Sequence, residues 1–217
     1  MPQPPDNNDH KSTQMIKNIV FDLGGVLVDW DPRYLYRKIF ESEEEVDFFL
    51  NNICTYRWNL EQDRGRTLAA ATQERIEKFP EYREEIKAYY GRWDEMLNGA
   101  FPENVKLLNE LLDDSRWGVY ALTNWSRETF PIAQKLFPFF DRFHGVVMSG
   151  EERVIKPDPE IYKILLERYD LNPAESVFID DRMENVKGAI EMGMKGIHFT
   201  PGTNLRAELN SLLFPKN

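Results

Sequence analysis

Apolar residues come in short runs separated by amphipathic stretches. Ile19, Val20 and Phe21 form a run that stops at Asp22, and Gly24-Gly25 breaks the chain directly afterwards. This is the pattern of a buried strand ending in a tight loop. Residues 32–101 read differently: they are rich in Glu, Arg, Tyr and Trp, and segments such as FESEEEVDFFLNNI and EYREEIKAYYGRWDEML carry helical spacing. This stretch is expected to be a mostly helical insertion. From Pro102 onward two periods alternate. Val105, Leu108, Leu111 and Leu112 fall on one face of a helix over 103–114, and the β-rich run 117–122 ends at Thr123. Ser126 is a candidate cap for a helix to about Leu136. His144–Met148 reads as a third strand. Asp158-Pro159 then opens a helix with Ile161, Ile164 and Leu165 inward. Ser176–Ile179 is a fourth strand running into Asp180-Asp181, followed by a helix with Val186, Ala189 and Ile190 inward, a fifth strand over 196–200 and a last helix over 204–213. Strands alternating with helices of this length predict an α/β fold built on a parallel sheet covered on both faces.

Composition narrows the reading. With 217 residues, 41% of them hydrophobic, the chain is long enough for one cored domain carrying a large insertion. Residues 1–14 hold no apolar run and read as a disordered tail, and no stretch reads as a signal peptide or membrane span. The 27 basic and 37 acidic residues leave a net charge of −10, a field that disfavours nucleic acid and anionic lipid as partners. The single cysteine, Cys54, excludes an intrachain disulfide and fits a reducing compartment. A cytoplasmic location is the expectation.

In open α/β sheets, ligands bind beyond the carboxyl ends of the strands, where strand order reverses. The residues just past the predicted strand ends are Asp22, Thr123-Asn124, the loop up to Lys156, and Asp180-Asp181. Clustered carboxylates repel one another, and a hard divalent cation such as Mg²⁺ relieves that repulsion. Lys156 suits a phosphate as a point charge, and the Gly24-Gly25 turn offers backbone N–H groups to an anion. Together they form the equipment for Mg²⁺-dependent phosphoryl transfer, with a carboxylate as a possible covalent nucleophile.

The order of motifs resembles the haloacid dehalogenase (HAD) superfamily from residue 17 to 200: IVFDLGGVLVD at 19–29, ALTN at 121–124, Lys156 in VIKPDPEIY, and VFIDDRMENV at 177–186. The wording of the last two looks most like small sugar-phosphate phosphatases and the amino-terminal phosphatase domain of soluble epoxide hydrolases. The resemblance implies a HAD-type, Rossmann-like α/β core over 15–31 and 102–217, with residues 32–101 as a helical cap. It implies Asp22 as the nucleophile, and Thr123, Lys156, Asn124 and the Leu23–Gly24–Gly25 loop on the phosphoryl oxygens. Asp22, Asp181 and the Gly24 carbonyl would bind Mg²⁺, with Asp180 and Asn185 supporting the metal. The corresponding expectation is a monomer or weak homodimer acting on a small phosphorylated metabolite.

One position departs from the family. Phosphatases of this kind usually carry a second aspartate two residues after the nucleophile, as general acid and base, and here that residue is Gly24. Such help is typically worth about 10²–10⁴-fold in rate. Asp29, Glu61 and Asp63 are the candidates to supply it, and a good leaving group, as in a sugar 1-phosphate, would need it least. Two alternatives stay open: 2-haloacid dehalogenation, which also lacks the second aspartate but needs no metal, and phosphometabolite binding without turnover. Trp30, Tyr56, Trp58, Trp93 and Trp125 are candidates to line a pocket, while His144, His198 and Cys54 read as packing residues.

Overall fold

The computed structural model describes residues 15–214; the tail expected over 1–14 lies outside them. Among the described residues seven strands form: β1 (Asn18–Phe21), β2 (Val28–Trp30), β3 (Leu97–Ala100), β4 (Gly118–Thr123), β5 (Gly145–Met148), β6 (Ser176–Asp180) and β7 (Lys195–His198). Side-chain alternation along a strand decides which face each residue covers. In β1, Ile19 and Phe21 enter one apolar cluster and Val20 the other; in β6, Val177 and Ile179 are divided from Phe178 in the same way. Strands apolar on both faces need cover on both, which is the environment of a parallel sheet. Five strands pair in the order β5-β4-β1-β6-β7, every pairing parallel.

Helices supply that cover. Pro102–Leu112 and Leu205–Leu213 bring Leu107, Leu108, Leu111, Leu209 and Leu213 to one face. Pro159–Arg168 and Met183–Glu191 bring Ile161, Tyr162, Leu165 and Ala189 to the other. Asp158 caps its helix as expected, its side chain accepting from the Glu160 N–H.

Three details differ from the sequence pattern. Ile190 is 52% exposed, and the buried positions of its helix are Asn185, Val186, Gly188 and Ala189. The helix expected from Ser126 begins at Phe130, because the Ser126 hydroxyl accepts the Glu128 N–H within a turn and Pro131 sits in the first helical turn. In the helix Pro102–Leu112 the buried positions are Asn104, Leu107, Leu108 and Leu111, with Val105 and Leu112 half-buried.

Between β2 and β3 the chain forms a series of helices, the longest being Tyr56–Asp63, Leu68–Lys78 and Arg83–Gly91. Leu97–Ala100, inside the segment expected to be mostly helical, is instead the strand β3, which pairs antiparallel with β2 through Val28↔Ala100 and Trp30↔Leu97. The two ends of the segment are thereby held side by side. Cys54 is buried with these helices, and burial raises its thiol above the ordinary range. Trp58 packs edge-on to Tyr89 and under the Arg75 guanidinium, inside the helical layer rather than at a pocket. Among the described residues no helix is long and apolar enough to cross a membrane.

The buried Asn104 amide donates to the Val26 carbonyl at 2.6 Å, tying a helix to the loop that follows β1. Asn104→Ala strands that carbonyl, and urea unfolding should show a loss of about 1–3 kcal/mol, the usual cost of an unpaired buried polar group.

Candidate active site

Parallel pairing places three candidate residues together. Asp22 follows β1, Thr123 ends β4 and Asp180 ends β6, and β4 and β6 flank β1. The Asp22 N–H donates to the Ile179 carbonyl at 2.8 Å, so the β1–β6 ladder continues one residue past β1 and sets Asp22 against the end of β6. Ligand oxygens of Asp22, Asp180 and Asp181 all lie within 4.8 Å of one another.

A buried lysine joins this group. Lys156 Nζ lies 2.9 Å from Asp22 Oδ1 and 2.7 Å from Asp180 Oδ2, and it donates to the Leu122 carbonyl at 3.0 Å. Those three contacts match the three donors of an ammonium group, so in this structure Lys156, expected on the phosphoryl oxygens, bridges two carboxylates instead. Asn124 sets its position: the Asn124 amide accepts the Lys156 N–H at 2.8 Å and donates to the Lys156 carbonyl at 3.1 Å. The Asn124 side chain is thus committed to the lysine. Asp180 is fully buried, and it accepts from Lys156, from the Arg182 N–H at 2.8 Å and from the Asn185 amide at 3.0 Å. Asn185 therefore orients Asp180. Asp181, which lines the cavity, is steadied from behind by His198, whose Nε2–H donates to the Asp181 carbonyl at 2.9 Å. His198 does more than the packing expected of it.

One ammonium cannot balance three carboxylates. Burial pushes the Asp22 carboxyl up to about 8, with Lys156 opposing and Asp180 and Asp181 adding to the rise. Burial and Asp180 push Asp181 up to about 6. Lys156 is lowered by burial, but Asp180 and Asp22 outweigh that and hold it above its ordinary value. A divalent cation among the carboxylates would reverse the first two shifts. The donor set fits Mg²⁺, which takes hard oxygen ligands. Gly25 makes room for the Asp181 carboxylate: at φ +75°, a Cβ there would lie 2.4 Å from Asp181 Oδ2.

The neighbouring donors divide into spent and free. The Leu23 N–H donates to Asp22 Oδ1 at 2.7 Å and the Gly25 N–H to the Val28 carbonyl at 2.8 Å, so neither is available to the anion expected on this loop. The tight turn itself uses them. The Gly24 N–H has no partner among the described residues, and the buried Thr123 Oγ1 has none either.

Above these groups opens a cavity of about 210 Å³, lined by Asp22, Gly24, Gly25, Asn124, Asp181 and Asn185 at its floor. Trp30, Tyr56, Trp93 and Trp125 line it, as expected, and so does Tyr90. Asn59, Asp63, Ser126, Thr129 and Arg182 supply polar wall. Of these, only Asp63 had been singled out for chemistry. Tyr56, Asn59 and Asp63 fall at i, i+3 and i+7 of one helix, a shared face that the spacing does carry. Of the carboxylates considered in place of the missing aspartate, Asp29 accepts from Tyr34 Oη at 2.8 Å and Asn98 at 2.9 Å, and Glu61 is exposed; neither lines the cavity.

A profile of haloacid dehalogenase-like hydrolases matches residues 16–193. The chain belongs to this family. It is 27% identical to a sesquiterpene phosphatase of Aspergillus oryzae, over 91% of this chain and 96% of that one. It is 26% identical to a D-ribitol-5-phosphate phosphatase of Bacteroides thetaiotaomicron, over 92% of this chain and 99% of the other. Among solved structures, it resembles a HAD family enzyme of Bacteroides thetaiotaomicron in complex with magnesium and inorganic phosphate, with a TM-score of 0.69, 29% identity, and coverage of 89% of this chain and 98% of that one. The five-stranded parallel sheet is the family's Rossmann-like core.

The two loop glycines should respond differently to a methyl group. At Gly24 the nearest atom to an added Cβ is Trp125 Cζ3 at 3.9 Å, an ordinary contact. Gly24→Ala should melt within a few degrees of the native protein. Gly25→Ala combines a collision with Asp181 and a positive φ, and should cost about 1–3 kcal/mol of stability and weaken any Mg²⁺-dependent rise in melting temperature.

Proposed function

We propose that this hydrolase cleaves a small phosphomonoester of the sugar-phosphate class with the help of Mg²⁺, through an aspartyl-phosphate on Asp22. The observation that carries the reading is the trio of clustered carboxylates Asp22, Asp180 and Asp181, the first two paired with one buried lysine, beside a buried hydroxyl, Thr123, that has no partner among the described residues. The relatives that bear phosphatase names, one of them named for D-ribitol 5-phosphate, a sugar-alcohol phosphate, support it. The cavity of about 210 Å³ lies below the usual range of about 300–1,000 Å³ for drug-sized ligands, which suits a small substrate.

Asp22, Asp181 and the Gly24 carbonyl would hold the metal, which when bound supplies positive charge to the phosphoryl oxygens and keeps Asp22 ionised. Asp22 attacks phosphorus, and the phosphorus–oxygen bond to the leaving alcohol breaks. Thr123 Oγ1 and the N–H groups of Gly24 and Asn124 take the phosphoryl oxygens, where charge accumulates. Lys156 offsets part of the negative charge of Asp22 and Asp180, and Asn185 keeps Asp180 aimed. Water then cleaves the acyl phosphate and frees Asp22. The segment 32–101 acts as a cap that excludes bulk water and sets specificity. Catalysis takes place on a free metabolite in the cytoplasm, with the protein as a monomer or weak homodimer.

p-Nitrophenyl phosphate should be hydrolysed only with Mg²⁺ present, and a panel of sugar phosphates should contain the better substrates. EDTA should abolish the activity and restored Mg²⁺ should return it. Asp22→Asn should lose about 10⁴-fold or more in kcat, as removal of a covalent nucleophile does. Halide release from a 2-haloacid that persists in EDTA, with no phosphate release in Mg²⁺, would overturn the reading in favour of carbon–halogen cleavage. A folded protein that binds phosphate without turnover would leave it a binding module.

A further inference from the structure

We infer that Asp63 protonates the leaving oxygen and then activates water, replacing the carboxylate that Gly24 leaves out of the nucleophile's loop; this rests on the phosphomonoesterase reading above. Asp63 ends the helix Tyr56–Asp63 and is only 8% exposed, yet it lines the same cavity as Asp22 and Gly24. An added Cβ at Gly24 would find only Trp125 within 4 Å, so the space that a side chain would fill there is open. A leaving group can therefore pass Gly24 and meet the cavity wall that carries Asp63.

Asp63 is held in place from two directions, its carboxyl by Asn59 and its backbone by Ser149. The Asn59 amide donates to Asp63 Oδ2 at 3.0 Å. Asn59 is itself oriented, because its Oδ1 accepts from Tyr90 Oη at 2.9 Å and Tyr90 Oη in turn accepts from the Gln62 amide at 2.8 Å. From the core side, the Ser149 hydroxyl donates to the Asp63 carbonyl at 2.6 Å and accepts the Trp125 N–H at 2.9 Å. Trp125 directly follows the Thr123-Asn124 pair at the end of β4. The helix that bears Asp63 is thus fastened to the loop that bears the phosphoryl donors. Such fixed placement is what a proton donor needs.

Its protonation suits both halves of the reaction. Burial pushes the Asp63 carboxyl up to about 7, with the Ser126 N–H and Lys156 opposing. Of the titratable groups that face it, burial raises Tyr56 to about 12 and Tyr90 higher still, and Lys156 stays cationic. Near neutrality these neighbours keep one charge state while Asp63 changes its own. In the first half-reaction the Asp22–phosphorus bond forms and the electrons of the phosphorus–oxygen bond pass to the leaving oxygen, which takes the Asp63 proton. In the second, the Asp63 carboxylate takes a proton from water as the water oxygen bonds to phosphorus and the Asp22–phosphorus bond breaks. Phosphate leaves, and Asp63 is protonated again.

The test is leaving-group dependence, measured as kcat/KM across substituted phenyl phosphates with Mg²⁺. With an acid in place the native enzyme should show a shallow slope against the pKa of the phenol. Asp63→Asn should lose about 10²-fold on phenyl phosphate but less than about tenfold on p-nitrophenyl phosphate, whose leaving group needs no proton. Retained turnover of the nitrophenyl ester also reports that the variant is folded. Equal losses on both esters, or no loss on either, would overturn the proposal while leaving the phosphatase reading intact. A native slope as steep as that of the uncatalysed reaction would overturn it too, whatever the variant does. A native protein that hydrolyses none of the esters would sink the phosphomonoesterase reading itself.

Discussion

The Lys156 ammonium sits 2.9 Å from Asp22 and 2.7 Å from Asp180, with its side chain fully buried, and the site is arranged around that contact. Charges removed from water are costly unless paired and hydrogen-bonded. Removing one member of such a pair typically costs about 3–5 kcal/mol, against a net stability of about 5–15 kcal/mol for a whole domain. The surroundings show how the burial is sustained. Asn124 clamps the lysine backbone, the Leu122 carbonyl takes the third ammonium proton, and Asn185 and the Arg182 N–H fill the remaining capacity of Asp180. Of the three carboxylates, Asp181 is the one outside the lysine's reach, and it faces the cavity, where it crosses the space that Gly25 leaves free. The imbalance is therefore localised, and it points toward the place where a cation and a phosphoryl group would enter.

A parallel sheet makes such an arrangement possible from residues far apart in the chain. All five strands present their carboxyl ends on one edge, so residues that follow β1, β4 and β6 meet although they are about a hundred and sixty residues apart at the extremes. Insertion of the helical segment between β2 and β3, past the loop that follows β1, brings its residues to the cavity at that edge. The β2–β3 ribbon holds the two ends of the segment together, and the Ser149 bridge from Trp125 to Asp63 fastens the segment to the core a second time. The cavity is shaped by these attachments, with an acidic floor and walls rich in aromatic rings.

Period and punctuation carried most of this into the sequence. The runs before Asp22, Thr123 and Asp180 are strands because they are apolar, short and stopped by polar residues, and their ends mark the site. What the text hides is pairing at long range. β3 is a strand because Val28–Trp30 lies beside it, and nothing in LNGA says so. Likewise, Leu23 and Gly25 were expected to offer N–H groups to an anion, but closing a six-residue turn consumes them. The commitment of the Asn124 side chain to Lys156 spans 32 positions and follows from the path of the chain between β5 and its next helix, which no local rule describes. His198 was legible only as a strand residue, since its bond to the Asp181 carbonyl depends on β7 lying next to β6.

The glycine at position 24 shows how a family site can lose one part without losing its logic. The residues that balance charge are locked to the sheet and to each other, so few substitutions are compatible with them. The proton donor has a looser requirement: a carboxyl group, poorly solvated, within reach of the leaving oxygen. Any wall of the cavity can meet it, and the helix Tyr56–Asp63 offers a candidate by turning Tyr56, Asn59 and Asp63 toward the cavity. Moving the acid from the nucleophile's own loop to the segment that covers the substrate would also tie proton transfer to the wall that contacts the leaving group. Chemistry at phosphorus would then remain a property of the sheet edge, while turnover would depend on how well a leaving group fills the space between Trp125 and Asp63.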